Sequence, residues 1–139
     1  MTTYKLTIPI PYTTNPKTGR QEANLLSANT RKHWTDRKTK TNHWRPAGLK
    51  AAQAAALPVL TPYAEIHAHI YKARAGRYDP ANLYPTAKAI IDGFTDYGLT
   101  EDDDYTHLDG PHMHHGGFDK NNPRIELTIT TYPEGNPHA

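Results

Sequence analysis

The chain has 139 residues, 16 Lys+Arg against 14 Asp+Glu, nine histidines and no cysteine. A chain of this length forms one domain burying roughly 68 % of its unfolded surface, and with only 36 % hydrophobic residues its core is lean enough that oligomerisation would help. The lack of cysteine excludes a disulfide scaffold and any thiolate zinc site. The opening MTTYKLTIPIPY has no leader pattern and no apolar run reaches membrane length, so a cytoplasmic protein with no membrane association is expected.

Tyr4 to Ile10 alternates apolar with polar and reads as a half-buried strand, with Pro9 favouring an edge. Residues 13–28 read as a polar, turn-rich loop. A basic helix is expected from Asn29 to Arg45, punctuated by His33, Trp34, His43 and Trp44. Pro46 fits the first turn of a second helical piece that runs to Ala56 and is stopped by Leu57-Pro58. Residues 64–71 alternate again, with Ala64, Ile66, Ala68 and Ile70 on one face and Glu65, His67, His69 and Tyr71 on the other.

The clearest helix follows. Ala87, Ile90, Ile91, Phe94 and Gly98 recur at helical spacing as one core stripe, and Lys88, Asp92 and Thr95 form a polar stripe beside it. Pro85 predicts a kink or a start near that position. Tyr105 to His114 is loosely strand-like, Arg124 to Tyr132 alternates as a final strand, and 133–139 is expected to be a disordered tail. The expected class is α/β (α+β): a single mixed β-sheet with helices packed mainly on one face, in the order β-α-β-α-β-β, over one domain at 1–132.

Charge is unevenly spread. Residues 1–57 carry ten basic residues against two acids, whereas 58–139 carry six against twelve. That pattern suggests a surface for a polyanion beside one for a cation. The acidic half centres on RYDPANLYPTAKAIIDGFTDYGLTEDDD, Arg77 to Asp104, where Asp79 and the cluster Glu101, Asp102, Asp103, Asp104 flank the helix that carries Lys88. Paired carboxylates with a nearby lysine suit a hard cation such as Mg²⁺. The plainer alternative makes Asp79-Pro80 an ordinary helix start, the acids a solvated helix exit, and Lys88–Asp92 an i,i+4 surface pair.

Two further constellations stand out. His67 and His69 on one strand face, with His112, His114 and His115 later, form a candidate zinc site. The favoured reading instead puts His67 and His69 on a sheet face near DNA or at a dimer interface, and His112–His115 in a solvated or DNA-proximal loop. From Arg31 to Lys50 there are seven Lys/Arg against one acid, with Trp34 and Trp44 interleaved. The charges point to nucleic acid and the tryptophans to the core.

Asp79-Pro80-Ala81-Asn82, then Lys88-Ala89-Ile90-Ile91-Asp92, then Gly98-Leu99-Thr100-Glu101-Asp102-Asp103 resembles the signature of the RusA-like Holliday-junction resolvases, D-x-D-N, K-x-x-x-D and G-x-x-x-D-D. The likeness is to the small members found in phages and prophages, and Asn29 and Arg31 match an upstream N-x-R segment. The chain departs from the pattern twice: Ala81 stands where the second acid is expected, and about one helical turn is inserted around Leu83–Ala87. The resemblance implies a homodimer that cleaves four-way DNA junctions with Mg²⁺, or Mn²⁺ as substitute, and needs no small-molecule cofactor. It assigns catalysis to Asp79, Asp103 and Lys88, and the metal to Asp79, Asp102 and Asp103. Asn82, Asp92 and Asp104 would be outer or substitute ligands. The DNA path would be lined by Arg31, Lys32, Arg37, Lys38, Lys40 and Arg45, with Arg74 and Arg77 nearer the metal. Two other classes are a catalytically decayed branched-DNA binder of the same fold and a His-based zinc-binding protein.

Overall fold

The computed structural model describes residues 1–28 and 34–139, with side chains described from residue 40 in the second stretch. In chain order the elements are β1 (Thr2–Pro9), β2 (Tyr12–Thr14), β3 (Gln21–Ala23), α1 (Trp34–Ala54), β4 (Tyr63–Lys72), a 3-10 turn (Pro80–Leu83), α2 (Tyr84–Tyr97), β5 (Leu108–Phe118) and β6 (Arg124–Tyr132). A four-stranded mixed sheet has the order β1-β6-β4-β5, and β2 and β3 form a small second sheet. β6 runs antiparallel to β1 and β4, whereas β4 and β5 are parallel. Parallel neighbours need a long crossover, and the 3-10 turn, α2 and the acidic turn supply it. The class is therefore mixed α+β, as expected from the sequence.

Strand alternation decides the two faces of the sheet. Ala64, Ile66, Ala68 and Ile70 of β4 and Ile125, Leu127 and Ile129 of β6 are fully buried, together with Ile90, Ile91 and Phe94 of α2 and Trp44 of α1. They belong to one core cluster. The other face carries Glu65, His67 and His69 of β4 and Glu126, Thr128 and Thr130 of β6, all half-buried.

α1 and α2 meet through glycines. A Cβ on Gly48 would lie 2.2 Å from the Ile90 carbonyl oxygen, and one on Gly93 would lie 2.2 Å from that of Arg45. Only residues without a side chain allow this approach. Beside the crossing, the Arg45 guanidinium donates two hydrogen bonds to Asp96, at 2.7 and 2.8 Å.

Three elements differ from the sequence reading. The expected loop at 13–28 contains the β2–β3 hairpin, whose three-residue strands are too short to show alternation. Its turn is closed by Asn15, whose side chain accepts the Lys17 N–H at 2.8 Å and whose carbonyl accepts that of Gly19 at 2.8 Å. The two helical pieces expected around Pro46 are one helix with Pro46 inside it. Pro46 is exposed, and the buried stripe Trp44, Gly48, Ala52 continues past it on the opposite side. The expected loop at His112–His115 is part of β5, paired in parallel with β4.

A short strap, residues 24–28, ties the two helices together. The Trp44 indole N–H donates to the Asn24 carbonyl at 2.9 Å and Lys40 Nζ to that of Leu25 at 3.2 Å. Leu26 exchanges two hydrogen bonds with the buried Thr86 hydroxyl, and the Ala28 N–H reaches the Asn82 carbonyl at 2.8 Å. Among the described residues no helix is long and apolar enough to cross a membrane.

Candidate active site

The polar stripe of α2 starts the site. Lys88 and Asp92 are one turn apart, and Lys88 Nζ donates to Asp92 Oδ1 at 2.6 Å. Gly98 ends the helix in the left-handed conformation, with φ of 97°, a conformation glycine reaches without a Cβ clash. The chain then turns back along the helix through buried Leu99 and Thr100. Thr100 Oγ1 donates to the Asp102 carbonyl at 2.6 Å, and Asp102 Oδ1 accepts the Asp103 N–H at 2.7 Å. This turn delivers Asp103 Oδ2 to Lys88 Nζ as a second ion pair. One ammonium thus joins a carboxylate of the helix to one of the acidic turn.

The electrostatics follow from that geometry. The hydrogen bond from Lys88 holds the Asp103 carboxyl below its ordinary range, although partial burial opposes this. Burial works against the Lys88 charge, but its bonds to Asp103 and Asp92 outweigh it and raise the ammonium above the usual lysine value. Both groups are therefore charged through neutral pH.

Asp79 occupies the N-cap of the 3-10 turn, where its Oδ1 accepts the Ala81 N–H at 3.0 Å. The plain capping role is thus real, and Pro80 fits the first position behind it. Asp79 also lines a cleft of about 410 Å³ with Ser27, Lys72, Tyr78, Asn82 and Leu83. Ala81 is exposed beside it. Asp104 faces a different group: its Oδ1 accepts the Thr106 N–H at 3.0 Å and the His107 Nδ1–H at 2.8 Å. The Thr106 hydroxyl, which donates to the same carboxylate, keeps its carboxyl low, with His107 adding to the effect.

Asp79, Asp102 and Asp103 offer hard oxygen donors, and their chemistry fits Mg²⁺, which takes one or two carboxylates and keeps waters and phosphate oxygens for the rest. The three are not gathered into a closed set. Among the described residues the group of three close-set donors is Glu65, His67 and His112, on the sheet face turned away from the helices.

The expected DNA-binding residues fall into three groups. Arg31 and Lys32 lie outside the described residues, as do the side chains of Arg37, Lys38 and Trp34. Lys40 and Arg45 are engaged within the fold, by the Leu25 carbonyl and by Asp96. Arg74 and Arg77 are exposed on the loop between β4 and Asp79. Trp44 is fully buried, in keeping with the core role expected for it.

Composition did not disclose Lys72 and Tyr78 as partners at this loop. Lys72 Nζ sits 4.5 Å from the centre of the Tyr78 ring, and the Tyr78 hydroxyl pairs with His115 Nδ1. Their spacing from Asp79 has no motif; only the parallel pairing of β4 with β5 brings His115 there.

No protein-family model matches the chain, and no curated protein matches it.

Proposed function

We propose that the protein is a metal-dependent, structure-selective DNA endonuclease that hydrolyses phosphodiesters in four-way and related branched DNA, in recombination or repair. The observation that supports this most is the convergence of Asp92 and Asp103 on Lys88, at the sequence spacing of the RusA-like signature. Asp79 and Asp103, with Asp102 alongside, would hold Mg²⁺ or Mn²⁺, which neutralises charge on the phosphate and lowers the pKa of the attacking water.

The chain's own groups prepare that chemistry. Asp103 stays ionised because Lys88 stabilises its charge, so no proton has to leave before a cation is held. Lys88 keeps its ammonium at the site and can turn it toward a phosphate oxygen when substrate adds negative charge, which favours the transition state. Arg74 and Arg77 present exposed cations beside Asp79 to the DNA backbone. A homodimer would pair two such sites with the two strands cut in a symmetric junction.

The test is a synthetic four-way junction incubated with the protein in EDTA, in Mg²⁺ and in Mn²⁺. Binding in EDTA and nicking in both metals is the expected result. Binding without nicking in any metal would identify a decayed binder of the same fold, and neither binding nor nicking would remove nucleic acid as the ligand.

A further inference from the structure

The sheet face turned away from α1 and α2 carries a second constellation, which shares no residue with the Lys88–Asp103 group. β4 and β5 pair His67 with His112 and His69 with His114. The rings stack: centroids are 4.7 Å apart for His67–His112, 5.0 Å for His67–His114 and 4.7 Å for His69–His114. Neutral imidazole is the form that ligates metal.

A bulge in β5 creates the arrangement. Glu65 pairs with Asp109 but His67 pairs with His112, so β5 spends one residue more than β4 over this step. Regular alternation would put Asp109 and His112 on opposite faces; the bulge brings them to the same one, where His112 Nε2 and Asp109 Oδ1 are 2.8 Å apart. A Cβ on Gly110 would lie 2.4 Å from the Ile66 carbonyl oxygen, so this close passage needs glycine.

We propose that Glu65, His67 and His112 form a binding site for a zinc-class divalent cation. Their ligand atoms all lie within 4.8 Å of one another, close enough that small side-chain rotations would bring two imidazole nitrogens and one carboxylate oxygen to the bonds of about 2.0–2.2 Å that zinc takes. Each ligand already has an outer partner of the kind that orients metal ligands. The Tyr132 hydroxyl donates to Glu65 Oε2 at 3.2 Å, His114 Nε2 lies 2.7 Å from His67 Nδ1, and Asp109 holds His112. The His67 Nε2 to Glu65 Oε1 distance of 2.9 Å is a hydrogen bond that the cation would replace. Mixed nitrogen and oxygen donors select zinc-class ions over Mg²⁺. Three protein ligands leave the fourth tetrahedral position to water, and the His112 side chain is 43 % exposed, so solvent reaches the site.

The test is titration of metal-stripped full-length protein with Zn²⁺ by calorimetry, with Co²⁺ absorption as a spectroscopic probe. One Zn²⁺ per chain is expected, with a tetrahedral-type Co²⁺ spectrum and no competition from Mg²⁺ at equal concentration. Glu65→Gln, His67→Gln and His112→Gln should each weaken Zn²⁺ binding more than about 100-fold, and Asp109→Asn or Tyr132→Phe by about 10–100-fold. His43→Gln and His138→Gln, both exposed and elsewhere, should leave it unchanged. The Asp109→Asn result stands even where a ligand variant fails to fold. Absence of Zn²⁺ binding, parental affinity in the Glu65, His67 and His112 variants, or equal competition by Mg²⁺ would overturn the proposal. Because the assay needs no DNA, it fails or succeeds independently of junction cleavage.

Discussion

Gly93 of α2 lies against Gly48 of α1 so closely that a Cβ on Gly93 would be 3.0 Å from the Gly48 Cα and 2.7 Å from the Leu49 nitrogen. The two helix backbones touch, and this contact fixes where α2 presents Lys88. Gly93→Ala forces backbone against backbone, with no flexible side chain to yield. Overpacking of this kind costs about 1–3 kcal/mol, so thermal unfolding of the variant should fall by several degrees. An unchanged melting temperature would mean that the helices can separate freely.

The Arg45–Asp96 pair beside that crossing gives a pH and salt signature. Hydrogen bonds from Arg45 hold the Asp96 carboxyl below its ordinary 3.8. The folded state therefore resists protonation of Asp96 more than the unfolded state does. The pair's contribution is complete above 3.8 and is lost as the pH falls through the lower folded value. Both side chains are partly exposed, so the effect is at most about 1 kcal/mol and weakens in salt. Asp96→Asn should lower stability slightly at neutral pH and low salt, and converge with the parent at 1 M salt or in strong acid, as read by denaturant titration.

Alternation and helical spacing made β4, β6 and the core stripe of α2 legible in the sequence alone, because each buries one face against one core. Three parts of the fold were not legible, the pairing of His112–His115 into β5 among them. The β2–β3 hairpin has strands too short for a period, and Pro46 read as a helix start because its exposed placement depends on where α1 packs. In the site, the Lys88–Asp92 pair was readable from i,i+4 spacing. Arrival of Asp103 at the same ammonium depended on the left-handed Gly98 and the Thr100 and Asp102 bonds behind it. The histidine cluster was visible as residue types, yet its geometry hinges on one bulge that no spacing rule announces.

Lys88 should separate metal binding from turnover. Its ammonium now neutralises Asp103, so removing it frees a carboxylate for a cation while taking a positive charge from the phosphate. Lys88→Met is expected to cut junction cleavage at saturating Mg²⁺ by about 100-fold, the scale of one lost transition-state donor. It should also lower the Mg²⁺ concentration for half-maximal rate. Lys120→Met, on an exposed loop, should do neither. Cleavage within threefold of the parent would reduce Lys88 to a structural ion pair.

The acids should divide in the same assay. Asp79→Asn and Asp103→Asn should each abolish cleavage and leave junction binding intact or tighter, since each removes a charge that repels phosphate. Asp103→Asn should also release Lys88 from one partner, whereas Asp79→Asn keeps its cap, because an amide oxygen still accepts the Ala81 N–H. Loss of folding in either variant, read by circular dichroism, would show a structural rather than a metal-binding role.

Ala81 is where the chain departs most from the resolvase signature that the proposed function rests on, and its exposed placement makes that departure easy to probe. It is exposed, its N–H is already bonded to Asp79, and a side chain there needs no room in the core. Ala81→Asp adds an oxygen donor two residues from Asp79, where the resembling family keeps one. If the second acid's place is vacant, the Mg²⁺ concentration for half-maximal cleavage should fall. If Asp102 or Asn82 already fills it, the added charge crowds like charges and leaves the rate flat or lower. The expected result is an active parent with little gain, because Mg²⁺ is satisfied by one or two carboxylates together with phosphate and water. An inactive parent revived by Ala81→Asp would instead show a binder whose nuclease centre had lapsed by the loss of one carboxylate.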